Sequence, residues 1–239
     1  YNNVFKNKIG VIGLGYVGLP LAVEFSKKFQ VYGYDTNKSK IKNLVNKVKI
    51  SEIDQKNFKQ INSIKISNNP KALKKCDIFI ITVPTPIFHN KKPDLRMLLQ
   101  ATKTVGKLLK PKDLVIFEST VFPGTTEDIC IPILEKKSKL KLFDKSKKFD
   151  NNFFWCGYSP ERINPSDRSH LLPKTNKLVS GSNHEVSYFL KKLYRKIIHA
   201  SVITTPNIKV AEASKILENV QRDLNIALMN EVSKIYNKL

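Results

Sequence analysis

The sequence predicts an α/β protein, a doubly wound, mainly parallel sheet followed by one long helix. Three observations carry that prediction. Short apolar runs alternate with helical patterns from the start, which implies right-handed crossovers between parallel strands. A glycine-rich turn, Gly13-Leu14-Gly15-Tyr16-Val17-Gly18, lies directly between the first run and the first helix. The stretch from Pro206 to Leu239 then breaks the alternation: it has no internal Gly or Pro and would span about 50 Å as continuous helix.

Taken in order, Lys8 to Ile12 is a short apolar strand and Val17 to Lys28 has helical spacing. Val31 to Tyr34 reads as a second strand, Asn37 to Val45 as a second helix, and Ile61 to Ile66 as a weaker strand. Asp77 to Val83 is continuously apolar, the signature of a strand buried on both faces, and Pro84 and Pro86 end it. Asp94 to Leu109 sets Leu95, Leu98, Leu99, Thr102, Val105 and Leu109 on one side of a helix. Leu114 to Phe117 is another buried strand, and Thr125 to Lys136 is a helix that Pro132 should kink. The lysine-rich run Lys136 to Lys148 reads as a loop. Strands at Phe153 to Cys156, Leu178 to Val179 and Ser201 to Thr204 flank a helix from His184 to Lys196. In the last stretch Ala213, Leu217, Val220, Leu224, Ala227, Leu228 and Ile235 form an apolar seam, suited to a further domain or to a subunit interface.

Composition narrows the class. The 239 residues are 41% hydrophobic and 26% charged, ordinary for a globular chain of one large domain or one domain plus part of a second. No run reaches the roughly eighteen apolar residues of a membrane span, and the N-terminal residues are too polar for a signal peptide. The net charge of +22 comes from 42 basic residues, of which five are arginines. Lysines spread along the whole chain among asparagines describe a solvated surface rather than a base-reading one, so no specific nucleic acid is expected. The charge still attracts anionic substrates. Cys76, Cys130 and Cys156 form no CxxC pair and have no His at metal-ligand spacing. An odd count without a secretion signal indicates reduced, core-packed thiols in a cytoplasmic protein without a metal site.

Five motifs can carry chemistry. The glycine turn allows close backbone approach to a diphosphate at a helix N-terminus. Asp35 ends the second strand 17 residues after Gly18, where its carboxylate can accept from adenosine ribose hydroxyls and would repel a 2′-phosphate, favouring NAD over NADP. Thr82-Val-Pro-Thr85-Pro and Glu118-Ser-Thr120-Val-Phe-Pro-Gly124 follow strands at the ligand-binding edge, although turn chemistry explains each about as well. In Gly157-Tyr-Ser-Pro-Glu161-Arg162-Ile-Asn-Pro165, Glu161 is either a held general base or half of a surface ion pair with Arg162. On the long helix, Lys215 and Asn219 are i,i+4 and share a face, a donor pair able to hold an oxyanion or a water, or else ordinary exposed surface.

Together the strings IGLGYVGLPLAVEF, ITVPTPI, PDL, ESTVFPGTTE, GYSPERINPSD and KVAEASKILENVQRDLNIALMNE resemble the UDP-glucose/GDP-mannose dehydrogenases, above all their UDP-N-acetylhexosamine branch, UDP-N-acetylglucosamine 6-dehydrogenases of Vi-type polysaccharide pathways. The resemblance implies a Rossmann-like NAD-binding domain over 1–205 and, over 206–239, the start of a central helical domain that makes a homodimer. It implies oxidation of a sugar C6 alcohol to the aldehyde and then to the carboxylate, with two NAD per turnover and a cysteine thioester on the way. By motif, Gly13, Gly15, Tyr16, Val17, Gly18, Asp35, Thr85 and Thr120 would line the NAD site. Lys215 and Asn219 would hold the oxyanion and a water, Glu161 would assist thioester hydrolysis, Thr120 would hold a water near C6, and Arg162 would join Glu161, Lys215 and Asn219 in contacting substrate.

The departures are a lysine-rich insertion near Lys139 to Asn152 and the absence of any Gly-Gly-His-Cys stretch, the family's nucleophile motif. With no initiator Met, an end inside a helical pattern and no UDP-binding domain, the chain is expected to be a fragment that binds NAD without completing the oxidation. The alternatives are a non-catalytic NAD-binding and dimerising module, or another dinucleotide-dependent oxidoreductase such as a 3-hydroxyacid dehydrogenase. Against the latter stand the GYSPERINP string and the Lys215/Asn219 helix.

Overall fold

The computed structural model describes residues 8–46, 60–144, 151–161 and 172–239. In chain order these form β1 (Lys8–Ile12), α1 (Gly18–Ser26), β2 (Gln30–Tyr34), α2 (Lys38–Val45), β3 (Ile64–Ser67), β4 (Ile78–Ile81), α3 (Arg96–Gly106) and β5 (Leu114–Phe117). There follow α4 (Ile131–Ser138), β6 (Lys141–Leu142), β7 (Phe153–Tyr158), β8 (Lys177–Gly181), α5 (His184–Tyr194), β9 (Val202–Thr204) and α6 (Ile208–Tyr236). The strands lie in the order β3-β2-β1-β4-β5-β7-β8-β9, with β6 beside β7. Among the described residues every ladder is parallel except β7 with β8.

Strand alternation divides the core between the two faces of the sheet. Ile78 and Ile80 of β4 and Leu114 and Ile116 of β5 point to one face, where Leu21 and Phe25 of α1, Leu44 of α2 and Leu190 and Leu193 of α5 cover them. Phe79, Ile81, Val115 and Phe117 point to the other, under Leu98 and Val105 of α3, Leu134 of α4 and Ile208 and Ala211 of α6. Strands apolar at every position are what such two-sided burial demands. All three cysteines are buried within these layers.

Three elements depart from the sequence-based expectation. The segment after β5 opens as a π-helical turn, Thr125–Cys130, and Pro132 sits in the first turn of α4. There its missing N–H costs nothing, so Pro132 begins a helix instead of kinking one. The lysine-rich run is not one loop: Lys136, Lys137 and Ser138 close α4, Lys139 turns the chain in the left-handed region (φ 63°), and Lys141–Leu142 form β6. Leu140, buried beneath, supplies the apolar hold that makes this short strand pair. Residues 145–148 of that run lie outside the described segments. Finally β8 begins at Lys177, whose side chain is buried, rather than at the apolar Leu178.

Candidate functional site

The carboxyl ends of β1, β2, β4, β5 and β7 meet along one edge of the sheet, and the motif loops leave from them. Gly13 has φ +95° and Gly18 sits so close to it that an added Cβ would lie 1.8 Å from the Gly13 carbonyl oxygen. Thr82, just past β4, donates its hydroxyl to the Gly13 oxygen (2.7 Å) and the Ile12 oxygen (3.0 Å), tying the turn to the sheet. Gly15 differs: a Cβ there would meet nothing within 4 Å and would project into open space. Val17 gives α1 no side-chain cap, so the helix start keeps donors for a ligand. Tyr16 is exposed beside it.

Asp35 is held from two sides, accepting from the Leu14 N–H (2.9 Å) and the Asn37 N–H (2.9 Å). One of those donors belongs to the glycine turn, so the carboxylate at the end of β2 and the turn are set as a unit. Each oxygen keeps a second lone pair for a hydroxyl donor. Across the edge, the Thr85 hydroxyl donates to the Thr120 carbonyl oxygen (2.5 Å) and the Ser119 hydroxyl to that of Val83 (2.6 Å). The loops after β4 and β5 are therefore tied into one wall.

Glu161 is not half of a surface ion pair. It is 7% exposed, and its carboxylate takes a hydrogen bond from the Lys177 ammonium (2.8 Å). Lys177, 1% exposed, also reaches Glu118 (2.7 Å), which in turn accepts from the Tyr194 hydroxyl. Burial pulls the Lys177 ammonium down, but the two carboxylates outweigh it and hold the group above its ordinary value. Burial pushes Glu118 up, and burial together with Glu118 raises the Tyr194 phenol. Arg162 lies outside the described residues.

Lys215 and Asn219 are placed by a different attachment. Glu212, fully buried in the first turns of α6, accepts from the Gly124 N–H (2.6 Å) and the Thr126 N–H (2.9 Å) at the start of the π-helical turn. Lys209 adds an ion pair to Asp128 (3.1 Å). One turn beyond Glu212 comes half-buried Lys215, and one turn further Asn219, which is exposed.

Comparison with known proteins decides what this edge belongs to. The family model for the UDP-glucose/GDP-mannose dehydrogenase family, NAD binding domain, matches residues 7–198. The chain belongs to that family. A UDP-N-acetyl-D-glucosamine 6-dehydrogenase of Pseudomonas aeruginosa is 48% identical over 233 residues, 97% of this chain and 53% of that protein. Protein CapL of Staphylococcus aureus is 47% identical over 98% of this chain and 53% of its own length. The solved structure of a UDP-D-ManNAc dehydrogenase from Pyrococcus horikoshii matches with TM-score 0.82 at 32% identity, over 94% of this chain and 52% of that one. The chain thus spans about half the length of the relatives it matches.

As the NAD-binding domain of that family, the chain has an edge that could hold the cofactor: open space at Gly15 and an uncapped helix start could take a dinucleotide diphosphate, and the fixed Asp35 a ribose. Sequence reasoning missed Lys177, Tyr194 and the anchoring role of Glu212. Lys177 has no local signal, being one lysine among many at the head of an apolar run. Glu118 and Glu212 lay inside recognised strings, but nothing local told a buried carboxylate from an exposed one.

Proposed function

We propose that this chain is the NAD-binding part of a cytoplasmic UDP-N-acetylhexosamine 6-dehydrogenase, which oxidises the sugar C6 alcohol to a uronic acid for surface polysaccharide synthesis. The observation that supports it most is the convergence of the glycine turn, Asp35, Thr85, Thr120 and Glu161 on one sheet edge. Residues 1–205 would form the cofactor domain and 206–239 the start of a central helical domain. Bound NAD supplies the acceptor for the hydride leaving the sugar carbon. Gly13, Gly15, Tyr16, Val17 and Gly18 would cradle its diphosphate, Asp35 its ribose, and Thr85 and Thr120 the wall beside it. Thr120 would also hold a water near C6. Glu161, and Arg162 next to it, would face the substrate, with Glu161 assisting the hydrolysis that frees the acid. Lys215 and Asn219 would stabilise the oxyanion and position water.

The chain alone lacks a thiol suited to the covalent step. Burial pushes Cys76 and Cys130 up to about 12, and raises Cys156 as well, so none supplies a thiolate near neutral pH. The exposed seam of α6, with Leu217, Val220, Leu224 and Leu228 open to solvent, supports assembly as a homodimer through that helix. The same buried thiols and seam also favour a second reading, a non-catalytic NAD-binding and dimerising module.

The test begins with the reading frame beyond codon 239. Its full product, given UDP-N-acetylglucosamine and NAD, should generate two NADH per sugar, and Lys215→Ala should abolish the signal. The galacto and manno epimers assayed in parallel would identify the sugar. A product that binds NAD yet oxidises none of the three would establish the non-catalytic module instead.

A further inference from the structure

We propose that Lys177 is a positioning residue for Glu161, with Glu118 and Tyr194 fixing Lys177 in turn. The proposal rests on the reading of Glu161 as the carboxylate that assists hydrolysis. Its foundation is the direction of β8. β7 ends at the ligand edge beside β5, with Phe117 paired to Tyr158, so Glu118, one residue past β5, and Glu161, three past β7, both leave the sheet at that edge. β8 runs antiparallel to β7, pairing Tyr158 with Ser180, and the same register carried three residues further sets Glu161 across from Lys177. The Ser159 hydroxyl, donating to the Leu178 oxygen (2.7 Å), holds the strands together in between. A parallel β8 would have left its first residue at the opposite edge.

Burial turns this juxtaposition into a clamp. A surface lysine samples many rotamers, whereas the Lys177 side chain is 2% exposed and its ammonium lies 2.7 Å from Glu118 and 2.8 Å from Glu161. Glu118 is held by Tyr194 of α5, which covers the same face of the sheet and packs through Phe25 onto α1, the helix that opens at the glycine turn. Two carboxylates around one ammonium form a unit in which removing the cation strands both anions. Lys177 therefore sets where the Glu161 carboxylate stands and offsets its charge, without touching substrate itself.

The experiment uses the full product of the reading frame carrying Glu161→Gln, Lys177→Met and both together. Glu161→Gln should lower kcat by about 100-fold. Lys177→Met should lower kcat comparably, with KM for NAD and sugar little changed, and the double variant should be no worse than either single one, because both remove the same function. Lys177→Arg should restore most of kcat. Losses that multiply in the double variant, or wild-type kcat in Lys177→Met, would overturn the proposal. An unaffected Glu161→Gln would instead sink the underlying reading of Glu161.

Lys177→Met strands two anions, so Glu118→Gln/Lys177→Met provides a charge-balanced second test. It should lose at least tenfold more kcat than Glu118→Gln alone, and equal rates would refute the clamp. Independently of turnover, the δ-carboxylate ¹³C resonance of Glu161 in the 239-residue chain should hold its position in Lys177→Arg. It should shift and broaden in the charge-balanced variant, and an unmoved resonance there would likewise count against the proposal.

Discussion

Gly13, Gly15 and Gly18 share one turn but answer to different constraints, and substitution should separate them. At Gly18 a methyl would strike the Gly13 carbonyl at 1.8 Å, so Gly18→Ala should lower stability by about 1–3 kcal/mol and weaken NAD binding as the turn opens. At Gly15 nothing lies within reach, so Gly15→Ala should leave stability within about 0.5 kcal/mol. If the turn cradles the diphosphate as proposed, the added methyl should weaken NAD binding about tenfold or more, or about 1.4 kcal/mol. Urea denaturation and NAD titration of both variants check the pair; equal stability losses would contradict it.

Asp113 provides a pH signature at the same scale. It is 2% exposed, and burial pushes its carboxyl up to about 7, although the Lys110 N–H and ammonium pull the other way. The unfolded chain titrates near pH 4, so through the window from about 4 to about 7 the folded state binds the extra proton. The Asp113 contribution to stability is complete below that window and lost as pH rises through it. Asp113→Asn should remove this loss, gaining on the wild type by up to about 1.4 kcal/mol per pH unit across the window. Parallel denaturation curves at every pH would refute the assignment.

At the scale of elements, α6 depends on a short attachment. Of its 29 residues only Ile208, Ala211 and Glu212 are buried, and Glu212 joins it to the loop that carries Thr120. Glu212→Ala would leave two buried N–H groups without their acceptor, a loss of about 2–4 kcal/mol. The Gly124 and Thr126 amides should exchange faster in that variant, and unchanged protection would show that the anchor lies elsewhere. β4 and β5 were legible residue by residue because a strand buried on both faces must be apolar throughout. The N-terminus of β8 was not, because Lys177 becomes a core residue only where two carboxylates from other strands meet it. The π-helical turn was also hidden, since its helical spacing matches an ordinary helix until the backbone geometry is seen.

For the molecule as a whole, the open seam of α6 is the feature that a lone copy leaves unburied. Leu217 is 66% exposed and Leu224 64%, on a helix about 43 Å long. The chain should self-associate at micromolar concentration, and Leu224→Glu should return it to a monomer in sedimentation equilibrium. A wild-type chain that stays monomeric would argue against the homodimer.

Local pattern by itself determined the family, the alternating fold, the glycine turn and Asp35, because each depends on residues adjacent in sequence or on the periodicity of one element. Only the tertiary structure decided that Glu161 is buried, that Lys177 bridges it to Glu118, which Tyr194 also bonds, and that Glu212 ties α6 to the Thr120 loop. These pairings join residues 16, 59 and more than 80 positions apart. Which charges meet there follows from strand order and the one antiparallel ladder, and short-range sequence pattern carries no information about either.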